Sequence, residues 1–131
     1  MSQWDKLQLE DKIVEILTGV RYHKKHHFGR PFLTAYQLAI AFAERYTTEF
    51  QQLGYPIGGQ GIGQRTSLAQ YLAAQLSARI KKGSSTRIEG AFISKGAGIE
   101  ITSFTQTGKP IRSSLKNTFD LSMFRLKDEQ T

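Results

Sequence analysis

The chain is 131 residues long, with 18 Lys and Arg against 11 Asp and Glu for a formal charge of +7, and it is 39% hydrophobic and 22% charged. That length suits one domain over 1–131, able to bury roughly two-thirds of its unfolded surface without disulfides or metal, and the composition is that of a folded chain, not a disordered one. The absence of cysteine excludes disulfides, thiol nucleophiles and cysteine-held zinc or iron–sulfur centres.

In chain order, residues 1–9 are polar and charged and lack the apolar core of a signal peptide. The longest apolar stretch, near 38–43, falls far short of a bilayer span. The expectation is a soluble, cytoplasmic protein with no membrane partner. Leu9, Ile13, Ile16, Leu17 and Val20 recur at three- and four-residue spacing, which predicts a first helix over 5–18 with Gly19 as its stop. Trp4, just ahead of it, either packs beneath that helix or mediates self-association. Residues 21–31 form a basic, histidine-rich connection closed by Pro31.

A second helix opens at Thr34, which with Gln37 makes a capping box, while Leu33 and Leu38 stand at hydrophobic-staple spacing. Its stripe, Leu38, Ala41, Phe42, Arg45 and Phe50, continues to Leu53, and Gly54 stops it ahead of Pro56. The connection 55–65 holds four of the 12 glycines. A third helix follows, capped by Thr66 or by Ser67 with Gln70 as box partner. Leu68, Leu72, Leu76 and Ile80 stand four apart and give it one buried side. Gln70, Tyr71, Gln75, Ser77, Arg79 and Lys81 occupy the other, with Gly83 at the end.

The periodicity then changes. Residues 87–93 and 99–104 are strand-like runs around the glycine-containing loop 94–98, the pattern of a β-hairpin. A turn over 105–110 leads to a last strand-like run at 119–126, where Phe119, Leu121 and Met123 alternate with Asp120 and Ser122. The expected class is α+β: three helices, a hairpin and a C-terminal strand in one domain.

Charge is segregated along the chain. No acid lies between Glu15 and Glu44, where Arg21, Lys24, Lys25 and Arg30 sit with His23, His26 and His27. None lies between Glu49 and Glu89 either, a window containing Arg65, Arg79, Lys81, Lys82 and Arg87. Such segregation makes a positive face suited to a polyanion.

Three helices followed by a hairpin resembles the winged helix-turn-helix superfamily in pattern, over about residues 7–104. The resemblance implies that the third helix lies in the DNA major groove, with Gln64, Arg65, Thr66, Ser67, Gln70 and Tyr71 at its leading end. It also implies that the 94–98 loop is the wing, with Lys95 as its phosphate contact. Lys24, Lys25, Arg30 and Lys81 then add sequence-independent affinity. A helix N-terminus offers unpaired N–H groups to phosphate, and Arg and Gln can make bidentate contacts to guanine and adenine. The expected partner is nucleic acid, DNA before RNA, for a small transcriptional regulator or DNA-associated accessory factor. One departure stands out: a standard helix-turn-helix joins its helices with three or four residues, whereas 54–65 is twelve long.

Other chemistries leave weaker traces. Gly58 and Gly63 have the spacing of a phosphate-binding loop, but Gln64 and Arg65 stand where Lys and Ser/Thr are required, and a helix precedes in place of a strand. The 58–65 loop is thus a connector needing positive φ angles, or the core of a protein-interaction or nucleotide- or small-anion-binding module. His23 and His27 have helical ligand spacing, yet Arg21, Lys24 and Lys25 oppose a cation, so no metal or cofactor is expected. No Ser–His–Asp set or G-x-S-x-G turn is present, and the chain is expected not to be an enzyme. The minor alternative is a metal-dependent nuclease uniting Glu89, Glu100 and Lys95 across adjoining strands. Among the tyrosines, Tyr36 and Tyr46 are expected to edge the core, leaving Tyr71 as the exposed base-stacking candidate. A homodimer through Trp4 or the terminal strand is left open.

Overall fold

The computed structural model describes residues 2–58, 66–94, 96, 100–113 and 121–128. Along them run α1 (Gln3–Lys6), α2 (Leu9–Thr18), β1 (Leu33–Thr34), α3 (Ala35–Arg45), α4 (Thr47–Leu53), α5 (Leu68–Lys82), β2 (Ile88–Ile93), β3 (Thr102–Phe104), β4 (Pro110–Arg112) and β5 (Leu121–Leu126). The architecture is α+β, with helices packed on one face of a small antiparallel sheet and a separate two-stranded hairpin.

The first predicted helix is two. Gln8 adopts the left-handed conformation (φ 52°, ψ 48°) and breaks the chain between α1 and α2. The turn brings Trp4 into the core, 3% exposed, with the Arg79 guanidinium 5.0 Å from its ring and Tyr71 at 6.3 Å. Burying so large an aromatic is worth several kcal/mol, which outweighs the roughly 1–3 kcal/mol cost of a non-glycine left-handed residue. The second predicted helix is also broken, at Tyr46 (φ −119°, ψ 62°), into α3 and α4. Its start is as expected: Thr34 Oγ1 accepts from the Gln37 amide at 3.1 Å and Gln37 Oε1 from the Thr34 amide at 2.8 Å. α5 matches its prediction, with the Ser67–Gln70 capping box at one end and left-handed Gly83 at the other. Leu68, Leu72 and Leu76 are fully buried, each contributing roughly 1.5–3 kcal/mol.

The strand partners differ from the predicted hairpin. β2 pairs along its whole length with β5, from Ile88↔Leu126 to Ile93↔Leu121, and β1 pairs with the other edge of β5, giving the order β1-β5-β2. β3 pairs with β4 instead. Side-chain fit explains the choice. Gly90 faces Phe124, where any Cβ would come within 3.3 Å of the Phe124 ring. Glu89 faces Arg125 and accepts from it at 3.2 Å, and Ile88 and Leu126 meet on the core side. Phe124 is the buried residue of the last strand, while Leu121 and Met123 lie half-buried on the opposite side of its pleat.

β3 and β4 form a local hairpin closed by a Thr105 turn, in which the Thr105 amide donates to Lys109 O at 3.0 Å and the Gly108 amide to Thr105 O at 2.9 Å. The hairpin docks on α3: the Gln106 amide donates to Glu44 Oε2 at 2.6 Å, and Ile111 is buried. Ile40 and Ala43 of α3 are buried too, although they stand outside the main core, so α3 is covered on two sides. Of the two features considered for self-association, Trp4 is buried within the chain and β5 is the central strand of its sheet. Among the described residues, no helix is long and apolar enough to cross a membrane.

Candidate nucleic-acid interface

α5 presents one continuous solvent face. Gln70, Ala74, Ser77, Ala78 and Lys81 are exposed at three- and four-residue spacing, with Lys82 beside them, opposite the buried leucines. The three residues at the centre of this stripe, Ala74, Ser77 and Ala78, are small. The flanking residues turn inward. Tyr71 lies against Tyr55 at 5.0 Å and Trp4 at 6.3 Å, and burial pushes its phenol pKa up, reinforced by Tyr55 and opposed by Arg79. Arg79 lies over Trp4, and its Nη2 donates to Gln75 Oε1 at 3.3 Å. Tyr71 is thus part of the core edge and not the exposed stacking residue that the sequence suggests; its i, i+4 spacing to Gln75 and Arg79 marks the flank that covers Trp4.

The N-terminus of α5 is closed to anions. The Ser67 and Gln70 amides are bonded within the capping box, the Leu68 amide donates to Pro56 O at 2.6 Å and the Ala69 amide to Ile57 O at 3.0 Å. The four amides expected to receive phosphate therefore have internal partners. Ser67 is buried as the cap and Gln70 Oε1 is engaged, whereas Thr66 is exposed. The predicted contacts Gln64, Arg65 and Lys95, with most of the 58–65 loop, lie outside the described residues. Gly58, at the start of that loop, is buried against Tyr36, whose ring a Cβ would meet at 3.0 Å.

Lys24 and Lys25 are exposed in a turn, and Arg21 and His23 beside them are exposed as well. Arg30 is instead turned inward, its guanidinium 4.1 Å from the Tyr22 ring and its Nε 4.0 Å from Asp128. Glu89 and Glu100 do not stand on adjoining strands as the nuclease alternative expects, since β2 and β3 are not neighbours, and Glu89 is ion-paired with Arg125; Lys95 lies outside the described residues.

Most of the described acids are engaged in internal contacts. Glu10 and Asp11 hold Arg87, Glu15 holds Arg45, Glu49 faces Lys12, Glu89 holds Arg125, Asp128 faces Arg30, and Glu44 accepts from Gln106. The hydrogen bonds that Arg87 donates to Asp11 and Glu10 hold its pKa above the ordinary value. Lys24, Lys25, Lys81, Lys82, Lys109 and Arg112 have no ion pair among the described residues. Lys109 and Arg112 belong to a surface that sequence reasoning passed over: the outer side of the β3–β4 hairpin, where Thr102, Phe104, Pro110 and Arg112 are all exposed, Phe104 by 64%. Its signal is present in the sequence, since no acid occurs between Glu100 and Asp120.

No family model, curated protein or solved structure matches this chain.

Proposed function

We propose that the chain is a winged-helix domain that binds double-stranded DNA, with α5 in the major groove and the β3–β4 hairpin as part of an enlarged wing. The observation that carries this assignment is the order of the elements: α2, β1, α3, α5, then β2 and β5 paired around the 94–120 connection, with β1 as the third strand. With the short α1 and α4 set aside, that is three helices followed by a strand pair with a long loop, and the third of them, α5, has an acid-free outer face. α4 and the 54–67 connection are additions to the simple plan; they hold the first turn of α5 through the carbonyls of Pro56 and Ile57.

On this assignment Gln70, Ser77 and Lys81 face the groove, and Lys81 and Lys82 together with Lys109 and Arg112 neutralise phosphates. No catalytic step is involved, and the role is that of a regulator or accessory factor acting on DNA in the cytoplasm. Fluorescence anisotropy with a labelled mixed-sequence duplex tests it. Log affinity is expected to fall linearly with log salt, and the Lys81→Ala/Lys82→Ala variant to lower the slope by about one unit per lysine. Salt-independent binding, or an unchanged slope in that variant, refutes the assignment.

A further inference from the structure

The most exposed large apolar residue described in the molecule is Phe28, at 73%, and it does not stand alone. The His26 and His27 rings stack at 4.5 Å with 19° between their planes, and Phe28 is tilted against both, at 5.0 and 4.4 Å. The cluster is held in place from within and from below. His26 Nδ1 accepts from the Phe28 amide at 3.1 Å, the His26 amide donates to His23 O, and the Gly29 amide donates to His26 O, both at 3.0 Å. Beneath, Arg125 Nη1 donates to Phe28 O at 2.6 Å and Arg30 O at 2.9 Å, while its other nitrogens are fixed by Glu89 on the neighbouring strand. Arg21, Lys24 and Lys25 are exposed on the same loop, and the Asp128 carboxylate lies beside Gly29 and faces Arg30.

We propose that the His26–His27–Phe28 ring cluster is a stacking platform for unpaired nucleobases, with Arg21, Lys24 and Lys25 holding the phosphates of a single strand. The proposal takes its class of partner from the function proposed above and adds a second, separate mode of contact. Preassembled aromatic faces, beside cations that have no ion pair among the described residues, are the two elements that sequence-tolerant single-strand binding requires. A membrane surface fits less well, because two of the three rings are imidazoles and only Phe28 offers an apolar body to insert. An apolar protein groove would leave the cations without a role.

The test is anisotropy with a labelled oligothymidylate and, in parallel, a blunt duplex, using the full chain and the variants Phe28→Ala, Phe28→Leu and Phe28→Trp. Phe28 is exposed, so the variants should retain the parent melting temperature. Expected are a loss of about tenfold in single-strand affinity for Phe28→Ala, the same loss for Phe28→Leu, near-parent affinity for Phe28→Trp, and duplex binding unchanged throughout. Full activity in Phe28→Leu overturns the proposal, since a contact that needs only an apolar side chain is not stacking. So does single-strand binding indifferent to Phe28→Ala, or co-sedimentation with phosphatidylserine vesicles that Phe28→Ala abolishes without any oligonucleotide binding. Failure of the parent chain to bind the duplex, with Phe28-dependent single-strand binding intact, would instead refute the winged-helix assignment and leave the platform standing.

Discussion

Arg125 donates through Nε and Nη2 to Glu89 and through Nη1 to two carbonyls of the basic loop, while its guanidinium lies 4.3 Å from the Phe32 ring. A planar fork can reach a carboxylate, two carbonyls and a ring at once; an ammonium cannot. Arg125→Lys is therefore expected to lower stability by about 2 kcal/mol, read as a lower urea midpoint at unchanged m-value. It should also weaken single-strand binding while leaving duplex binding alone, because the loop below Phe28 loses its anchor. Parent-like stability in that variant would show that the clamp contributes nothing. At this scale a residue type announces its capability and not its use. Ser67, Tyr71 and Arg30 have the chemistry of nucleic-acid contacts, yet the first caps α5, the second edges the core and the third lies on Tyr22. Each is diverted by a neighbour distant in sequence or by its own helix end.

Among the elements, what is local was legible and what is non-local was not. The capping boxes at Thr34 and Ser67 and the stops at Gly54 and Gly83 depend on residues within one turn, and all four occur where the sequence puts them. The breaks at Gln8 and Tyr46 serve distant partners, Tyr71 and Arg79 for Trp4 in the first case and Glu15 in the second, and period alone does not record them. Strand pairing fails to appear for the same reason: alternation marks β2 and β5 as strands, but it is the fit of Gly90 to Phe124, Glu89 to Arg125 and Ile88 to Leu126 that goes with their meeting. The α3–α4 joint carries a test of its own. Tyr46 donates its hydroxyl to the Glu15 carboxylate, and burial first, then this hydrogen bond and the nearby carboxylates, push its pKa from 10.0 up to about 12, with Arg45 acting in the opposite sense. The folded chain therefore keeps a proton that the unfolded chain has lost between about pH 10 and 12. The contribution of Tyr46 to stability is whole below pH 10 and disappears as the pH rises toward 12. A phenolate absorbance titration should show a late step as the pH approaches 12, and Tyr46→Phe should remove that step and flatten the alkaline loss of stability. Titration of every tyrosine near pH 10 would contradict the arrangement.

For the molecule as a whole, the direction of the strands separates the basic surfaces. β1 and β2 are both antiparallel to β5 and so run the same way. The 21–32 connection enters β1, and α5 leads into β2, from one end of the sheet, where Arg125 holds Phe28 O and the Lys127 amide donates to Arg87 O at 2.9 Å. The 94–120 connection, with its hairpin, leaves β2 at the other end, a six-residue strand or about 20 Å away. Among the described residues no hydrogen bond, ion pair or ring contact joins the hairpin to the 21–30 loop. If both basic surfaces bind nucleic acid as proposed, their salt dependences are separable, because each cation that meets a phosphate releases its own counterion. Lys109→Ala/Arg112→Ala should lower the duplex slope by about 0.9 per residue and leave the single-strand slope unchanged. Lys24→Ala/Lys25→Ala should do the reverse, lowering the single-strand slope by about 0.7 per residue. If either pair of substitutions lowers both slopes together, the +7 charge acts as one diffuse field and the division into two surfaces is wrong. If each affects only its own ligand, the loop and the wing are independent sites that a junction between duplex and single strand can occupy together.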